Sequence, residues 1–231
     1  MAEQAAAKVP VVTIDGPSGS GKGTVSRAVA HYARWHWLDS GALYRLVALA
    51  GEAEGLAAGD VAGHVRTAQR MQVRFGTGRL EERVTLEGRD VTAELRSERA
   101  GSGASRVAAW PEVRAALLGR QKAFARPPGL VADGRDMGTV VFPQAELKIY
   151  LTASPEERAL RRYKQLNDKG SGVSLAALSR EIAERDSRDA SRAVAPLRAA
   201  SDAHVIDSTG LTVEEVVERV LALGRDRTLW A

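Results

Sequence analysis

Val9-Pro10-Val11-Val12-Thr13-Ile14-Asp15-Gly16-Pro17-Ser18-Gly19-Ser20-Gly21-Lys22-Gly23-Thr24 is the stretch that decides the architecture. Its first half is a short apolar run rich in β-branched residues, as expected of a strand buried on both faces. Its second half fits G-x-x-x-x-G-K, and a helical pattern follows through Val25, Val29 and Tyr32. Strand, glycine-rich loop and helix in that order are what a phosphate-binding loop requires. The glycines let backbone N–H groups converge on phosphate oxygens, the helix N-terminus adds partial positive charge, and a lysine at position 22 can bridge β- and γ-phosphates. Gly16, Pro17, Ser18, Gly19, Ser20, Gly21, Lys22, Gly23 and Thr24 are therefore the expected ATP-binding residues. The Ser/Thr usual directly after the lysine is Gly23 here, with the hydroxyl one place later at Thr24, which weakens the case for a direct Mg²⁺ ligand.

Working outward, Leu43, Leu46, Val47 and Ala50 follow Ser40, which can cap a second helix, and Gly55 marks its end. Leu130-Val131-Ala132-Asp133, Leu147-Lys148-Ile149-Tyr150-Leu151 and His204-Val205-Ile206-Asp207 read as further short strands with helical patterns between them. Alternating strands and helices predict an α/β fold, a three-layer sandwich with a parallel central sheet and helices on both faces. Ligands of such sheets sit beyond the carboxyl ends of the strands. From Val73 to Val91 the pattern changes: Val73-Arg74-Phe75, a Gly76-Thr77-Gly78 turn, Val84-Thr85-Leu86 and Gly88 predict small antiparallel strands in an inserted subdomain. Gly170-Ser171-Gly172 separates two arginine-rich helical segments, as a mobile excursion would.

The 231 residues are 44% hydrophobic, enough for one sizeable core with embellishments. With no cysteine there is neither a disulfide framework nor a thiolate nucleophile or metal site, in keeping with a reducing, cytoplasmic location. Met1 to Lys8 lacks a signal-peptide apolar run, and no stretch nears the roughly 18 apolar residues of a membrane span, so a soluble, unexported chain without a membrane partner is expected. The net charge of +4 suits anionic small molecules. The basic residues form no block of the kind that marks nucleic-acid tails, and no nucleic-acid partner is expected. Trp35, Trp37, Trp110 and Trp230 lack basic interleaving and read as packing residues. His31, His36, His64 and His204 have no metal-ligand spacing and receive no role.

A chain that moves a phosphoryl group also needs cations for its acceptor. Leu38-Asp39-Ser40-Gly41-Ala42-Leu43-Tyr44-Arg45 puts Arg45 on the opening turns of the second helix, and Asp133-Gly134-Arg135-Asp136 follows a buried strand. Arg185, Arg188 and Arg192 stand at helical spacing with Glu181, Glu184 and Asp189, a pattern that a solvated face of i,i+4 ion pairs would equally produce.

Ile14-Asp15-Gly16-Pro17-Ser18-Gly19, Leu38-Asp39-Ser40-Gly41, Asp133-Gly134-Arg135-Asp136-Met137-Gly138-Thr139-Val140-Val141-Phe142-Pro143 and Arg192-Ala193-Val194-Ala195-Pro196-Leu197 resemble, in order, the bacterial cytidylate kinases. The likeness spans nearly the whole chain, and the Gly-Lys-Gly-Thr ending looks like that of nucleoside-monophosphate kinases rather than GTPases or motor ATPases. The resemblance implies transfer of the ATP γ-phosphoryl to CMP or dCMP in pyrimidine nucleotide metabolism, with Mg²⁺ bound with ATP, no protein metal site and a monomeric chain. It implies a single kinase domain over residues 1–231, a CMP-binding insert over about 59–108 and an arginine-rich lid over about 156–192. Ser105, Arg114 and Asp136 should then face the cytosine, Arg185 and Asp189 the sugar, and Arg45, Arg135 and Arg192 the phosphate, with Ser40 also on the acceptor side. Cytosine offers an amine donor beside N3 and O2 acceptors, which a carboxylate and an arginine can pair, whereas uracil would oppose a carbonyl oxygen to Asp136. Arg158, Arg161 and Arg162 lie where a lid would bring arginines to the transferring phosphoryl, and Arg162 joins Lys22 and Arg135 in the expected catalytic set. Two rivals remain at this level: a P-loop kinase for UMP or another small acceptor such as shikimate or gluconate, and a nucleotide-binding regulator that does not turn over.

Overall fold

The computed structural model describes residues 8–76, 83–167, 174–192 and 194–230. In chain order the elements are β1 (Val11–Asp15), α1 (Lys22–Ala33), β2 (His36–Asp39), α2 (Ser40–Ala53), α3 (Val61–Arg70), β3 (Val73–Phe75), β4 (Val84–Leu86), β5 (Arg89–Asp90), α4 (Thr92–Leu95), α5 (Glu98–Val107) and α6 (Pro111–Lys122). Then come β6 (Leu130–Gly134), a π-helical turn (Met137–Val141), β7 (Leu147–Thr152), α7 (Pro155–Asn167), α8 (Leu175–Ala190), β8 (His204–Asp207) and α9 (Val213–Arg225). The chain divides into two units, Asp39–Gln121 and the residues on either side of it.

In the first unit β1 is buried at every residue, which a strand achieves only in the middle of a covered sheet. The five strands run in the order β2-β6-β1-β7-β8, and β1 pairs in parallel with both β6 and β7. Alternation sorts its side chains. Val12 and Ile14 join Val25, Val29, Val216, Val220 and Leu221 in the core under α1 and α9. Thr13 and Asp15 point the other way, toward the π-helical turn, where a Cβ on Gly138 would stand 2.8 Å from the Thr13 hydroxyl. The carboxyl ends of β1 and β6 lie side by side, Asp15 opposite Gly134. A capping box at Thr212 and Glu215 starts α9. Its end is held by Trp230, which packs edge-on against Trp35 with ring centroids 5.4 Å apart. No described helix is long and apolar enough to cross a membrane.

In the second unit α2 is the hub, burying Leu43, Leu46, Val47 and Leu49 and packing on α3 and α5. Its approach to α5 is close because Gly103 has no side chain: a Cβ there would stand 2.8 Å from that of Ala48. β3, β4 and β5 form the antiparallel sheet that the sequence suggests. Of the anticipated turns, Thr77-Gly78 and Gly170-Ser171-Gly172 lie outside the described residues.

The expected strands at 130–133, 147–151 and 204–207 are present, each within a residue of its expected limits. One local expectation is corrected. Asp39, not Ser40, caps α2, its carboxylate accepting from the Ala42 N–H at 3.1 Å, while Ser40 is the first helical residue. An ionised acceptor one residue earlier satisfies the orphan amides and complements the helix dipole. Gly55 does follow the helix end, with φ +70.

Candidate active site

The loop leaving β1 is held open by close backbone contacts. A Cβ on Gly16 would lie 2.0 Å from the Leu151 carbonyl oxygen, so β7 leaves no room for any other residue. Gly21, the N-cap of α1, has φ 86, a left-handed conformation that only glycine adopts without strain. No side chain caps α1 and no acidic residue sits in its first turn, so an uncountered dipole end faces the loop. Lys22 reaches back and donates to the Pro17 carbonyl at 3.1 Å, placing its ammonium over the loop. The buried Ser20 hydroxyl has no hydrogen-bond partner among the described residues. Together these features make an anion cradle.

Two arginines of α7 grip the same loop. Arg158, buried, donates to the Ser18 carbonyl at 3.2 Å and to the Ala153 carbonyl at 3.0 Å, and pairs with Asp186 of α8 at 2.6 Å. Arg161 donates to the Ser208 carbonyl at 2.7 Å and hydroxyl at 3.0 Å and lies 3.4 Å from the Ser20 carbonyl, with Glu157 orienting it one turn back. Arg162, by contrast, bonds Gln165 on its own helix at 3.1 Å. Sequence spacing does not separate three arginines on one helix, whereas in the structure Arg158 and Arg161 contact the loop carbonyls.

At the end of β6, Asp133 is buried and accepts from the Trp37 indole N–H at 3.0 Å, and its carboxylate stands 3.9 Å from where a Cβ on Gly23 would be. Arg135 and Asp136 follow directly. Arg135 donates to Asp189 at 2.8 Å, and Arg192 donates to the other oxygen of that carboxylate at 2.5 Å. Asp189 is 1% exposed. Burial pushes its carboxyl up, but the guanidiniums of Arg135 and Arg192 outweigh that and hold it below the usual carboxylate range. The solvated-face reading of α8 holds for Arg188, which makes a loose exposed pair with Glu184 at 3.8 Å. It fails for Asp189 and Arg192, which face inward. Arg185 lies on the same helix, one turn before Asp189.

Asp15 and Asp133 were not singled out by sequence reasoning. The available signal was a carboxylate closing an otherwise apolar strand, since a buried charge must be partnered. Asp15 accepts from the Met137 N–H with one oxygen and the Gly138 N–H with the other, both at 2.8 Å. Burial raises its carboxyl to about 6, opposed by those two hydrogen bonds and by Arg135 and reinforced by Asp136.

The other expected acceptor residues belong to the second unit. Ser40 and Arg45 sit on the first turns of α2, Ser105 on α5 and Arg114 on α6. Arg114 is nearly buried, its guanidinium 5.6 Å from the Tyr44 ring centroid and donating to the Ala108 carbonyl at 3.3 Å. The buried Ser105 hydroxyl finds no hydrogen-bond partner among the described residues. An orphaned buried hydroxyl is costly unless a ligand completes it. Trp110 packs edge-on against His64, whose Nδ1 lies 2.7 Å from the Asp60 carbonyl oxygen; both are packing residues.

Among the described residues no three His, Asp or Glu side chains converge as metal ligands. The Asp133 carboxylate beside the loop and the Thr24 hydroxyl on the first turn of α1 are hard oxygen donors. They fit a Mg²⁺ held chiefly by phosphate oxygens and water.

A family model described as cytidylate kinase matches residues 12–226. A cytidylate kinase of Nitrosococcus oceani is 55% identical over 93% of this chain and 95% of its own. One of Stutzerimonas stutzeri is 57% identical over 96% of this chain and 97% of its own. Among solved structures, an uncharacterized protein from Eubacterium ventriosum superposes with a TM-score of 0.50 at 10% identity, covering 93% of this chain and 97% of that one, a likeness of fold alone.

Proposed function

The chain belongs to the cytidylate kinase family, and from that premise we infer a complete assignment of its chemistry. It is an enzyme that transfers the γ-phosphoryl group of ATP to CMP or dCMP, giving ADP and CDP or dCDP. In the transfer an oxygen of the CMP phosphate forms a bond to the γ-phosphorus as the bond to the β–γ bridging oxygen breaks, with the electron pair leaving on ADP. The observation that carries the residue assignment is the shared ladder rung. The phosphate loop and the Arg135-Asp136 pair leave adjacent parallel strands at Asp15 and Gly134.

Phosphoryl transfer asks the protein for position and charge rather than for a covalent partner. Lys22 and the amides at the start of α1 hold the β- and γ-phosphates. Arg158 and Arg161, already seated on the loop carbonyls, are better candidates than Arg162 to counter charge on the transferring group. Arg135 and Arg192, aligned by Asp189, take the acceptor phosphate together with Arg45, while Arg185 and Asp189 take its sugar. Asp136, Ser105 and Arg114 recognise cytosine, and the unsatisfied Ser105 hydroxyl supports that role. Asp133 and Thr24 would hold Mg²⁺ beside the loop, where it would supply positive charge to the ATP phosphates. We place this enzyme in the cytoplasm as a monomer working on free nucleotides, as its family membership suggests.

The test is transfer of label from γ-labelled ATP to CMP, recovered as labelled CDP. We expect transfer that requires Mg²⁺ and falls by on the order of 100-fold or more in Lys22→Ala, the loss expected when a charged group facing the transition state is removed. Wild-type turnover that survives Lys22→Ala unchanged would remove the loop from the mechanism.

A further inference from the structure

We propose that Asp15, which touches neither nucleotide in the assignment above, is the positioning residue that sets Arg135 and Asp136 for acceptor recognition. The inference rests on the proposed roles of those two residues. They form a two-residue bridge between the end of β6 and the π-helical turn, and Asp15 fastens both ends of it. On the strand side, its backbone lies opposite Gly134 in the parallel ladder. On the helical side, its carboxylate accepts from the Met137 and Gly138 N–H groups at 2.8 Å each.

The two amides are the first of a helical turn whose own hydrogen bonds begin only with Val140 and Val141, which donate to the Asp136 carbonyl. The first amides of a helix have no internal acceptor, and the Asp136 side chain makes no capping bond here. A carboxylate from the neighbouring strand supplies both acceptors, one oxygen to each. Bonds to an ionised acceptor are shorter and about twice as strong as neutral ones, and a bidentate pair fixes orientation as well as distance. The turn lies close over β1: a Cβ on Gly138 would stand 2.8 Å from the Thr13 hydroxyl.

The bridge is therefore not free to choose its own conformation, and neither are the side chains it carries. Arg135 emerges aimed at Asp189, and Asp136 is buried at 2% exposure. The next residue after Asp15 is Gly16, the first of the phosphate loop. One carboxylate thus sets the acceptor segment at a fixed offset from the donor loop. Buried polar groups that lie near a site but face away from it are commonly its supporting shell.

Asp15→Asn is isosteric, but its amide offers one acceptor oxygen and presents N–H donors to the second backbone N–H. We expect KM for CMP to rise and kcat to fall, with kcat/KM for CMP lower by on the order of 10–100-fold, the equivalent of one lost charge-assisted hydrogen bond. The dissociation constant for ATP should move by less than about 3-fold, within the scatter expected for a residue with no ligand contact. A loosened Asp136 should also relax base choice, so the CMP:UMP ratio of kcat/KM should fall, which general destabilisation would not produce. Gly138→Ala disturbs the same clamp from the other side, its new methyl meeting the Thr13 hydroxyl, and should give the same pattern more weakly. Hydrogen exchange should show residues 135–141 opening in both variants while α1 and α9 stay protected. Equal losses for ATP and CMP, or an unchanged CMP:UMP ratio, would overturn the inference. Failure of both variants to fold would overturn it too, since Asp15 would then be a folding residue. Wild-type enzyme inactive on CMP would instead overturn the functional assignment on which the inference rests.

Discussion

Asp136, Asp189 and Asp15 are three buried carboxylates close together in the chain's first unit, and their environments give them different work. Asp189 is paired with two arginines and stays ionised, so its contribution to stability is present above the unfolded carboxyl range and is lost as pH falls through its depressed value. Asp136 has the cytosine amine as its proposed partner. Asp136→Ala should lower kcat/KM for CMP by on the order of 100-fold while leaving ATP affinity within about 3-fold; steady-state kinetics paired with ATP titration checks it, and parallel losses would refute the recognition role. Asp15 carries a cost that the clamp accepts. Burial raises its carboxyl from 3.8 to about 6, with Asp136 adding to the rise and Arg135 and the two backbone N–H groups opposing it; the Tyr150 phenol lies in the same field. A raised value means the folded state holds the proton more tightly, so the stability it contributes is full below pH 3.8 and is lost as pH climbs through about 6. The stability difference between wild type and Asp15→Asn should therefore fall by about 2 kcal/mol between pH 4 and pH 7. Denaturant unfolding of both proteins across that range measures it, and a pH-independent difference would contradict the assigned environment.

Elements were legible in proportion to how much their pattern owed to local chemistry. β1, β6, β7 and β8 announce themselves as apolar runs, and the phosphate loop as glycine spacing. β2 does not: His36-Trp37-Leu38-Asp39 is four residues long, only Leu38 of it is buried, and its place at the sheet edge comes from tertiary pairing. The π-helical turn is illegible for a related reason, since its first amides are satisfied by Asp15, 122 positions earlier. The cap of α2 was misplaced by one residue because Asp39 and Ser40 are both competent caps in sequence. Helix ends also depend on distant contacts at α9. A Cβ on Gly224 would stand 1.8 Å from the Trp230 ring. Gly224→Ala should displace that ring from Trp35 and cost about 1–3 kcal/mol by overpacking. Thermal unfolding together with a red-shifted tryptophan emission would register it; an unchanged spectrum and midpoint would show that the C-terminal Trp230 is not docked as described.

For the molecule as a whole, sequence reading reached the α/β class, the parallel sheet, the antiparallel excursion and the reaction. It reached them because phosphate cradling and arginine-rich acceptor binding need particular residues at particular spacings. What stayed hidden were supports whose partners are far away in sequence: Asp15 beneath the Arg135-Asp136 bridge, Asp133 beside Gly23, and the seating of Arg158 and Arg161 on the loop carbonyls. Those depend on which face of a strand or helix is packed, and periodicity narrows that without naming the partner. The central claim remains a choice of acceptor, and one measurement addresses it most directly: ADP formation from ATP and Mg²⁺ with CMP, dCMP, UMP, AMP and GMP each offered separately to the wild-type enzyme. The account predicts strong turnover with CMP and dCMP and kcat/KM for UMP lower by on the order of 100-fold or more; turnover of UMP or a purine monophosphate equal to that of CMP would contradict it.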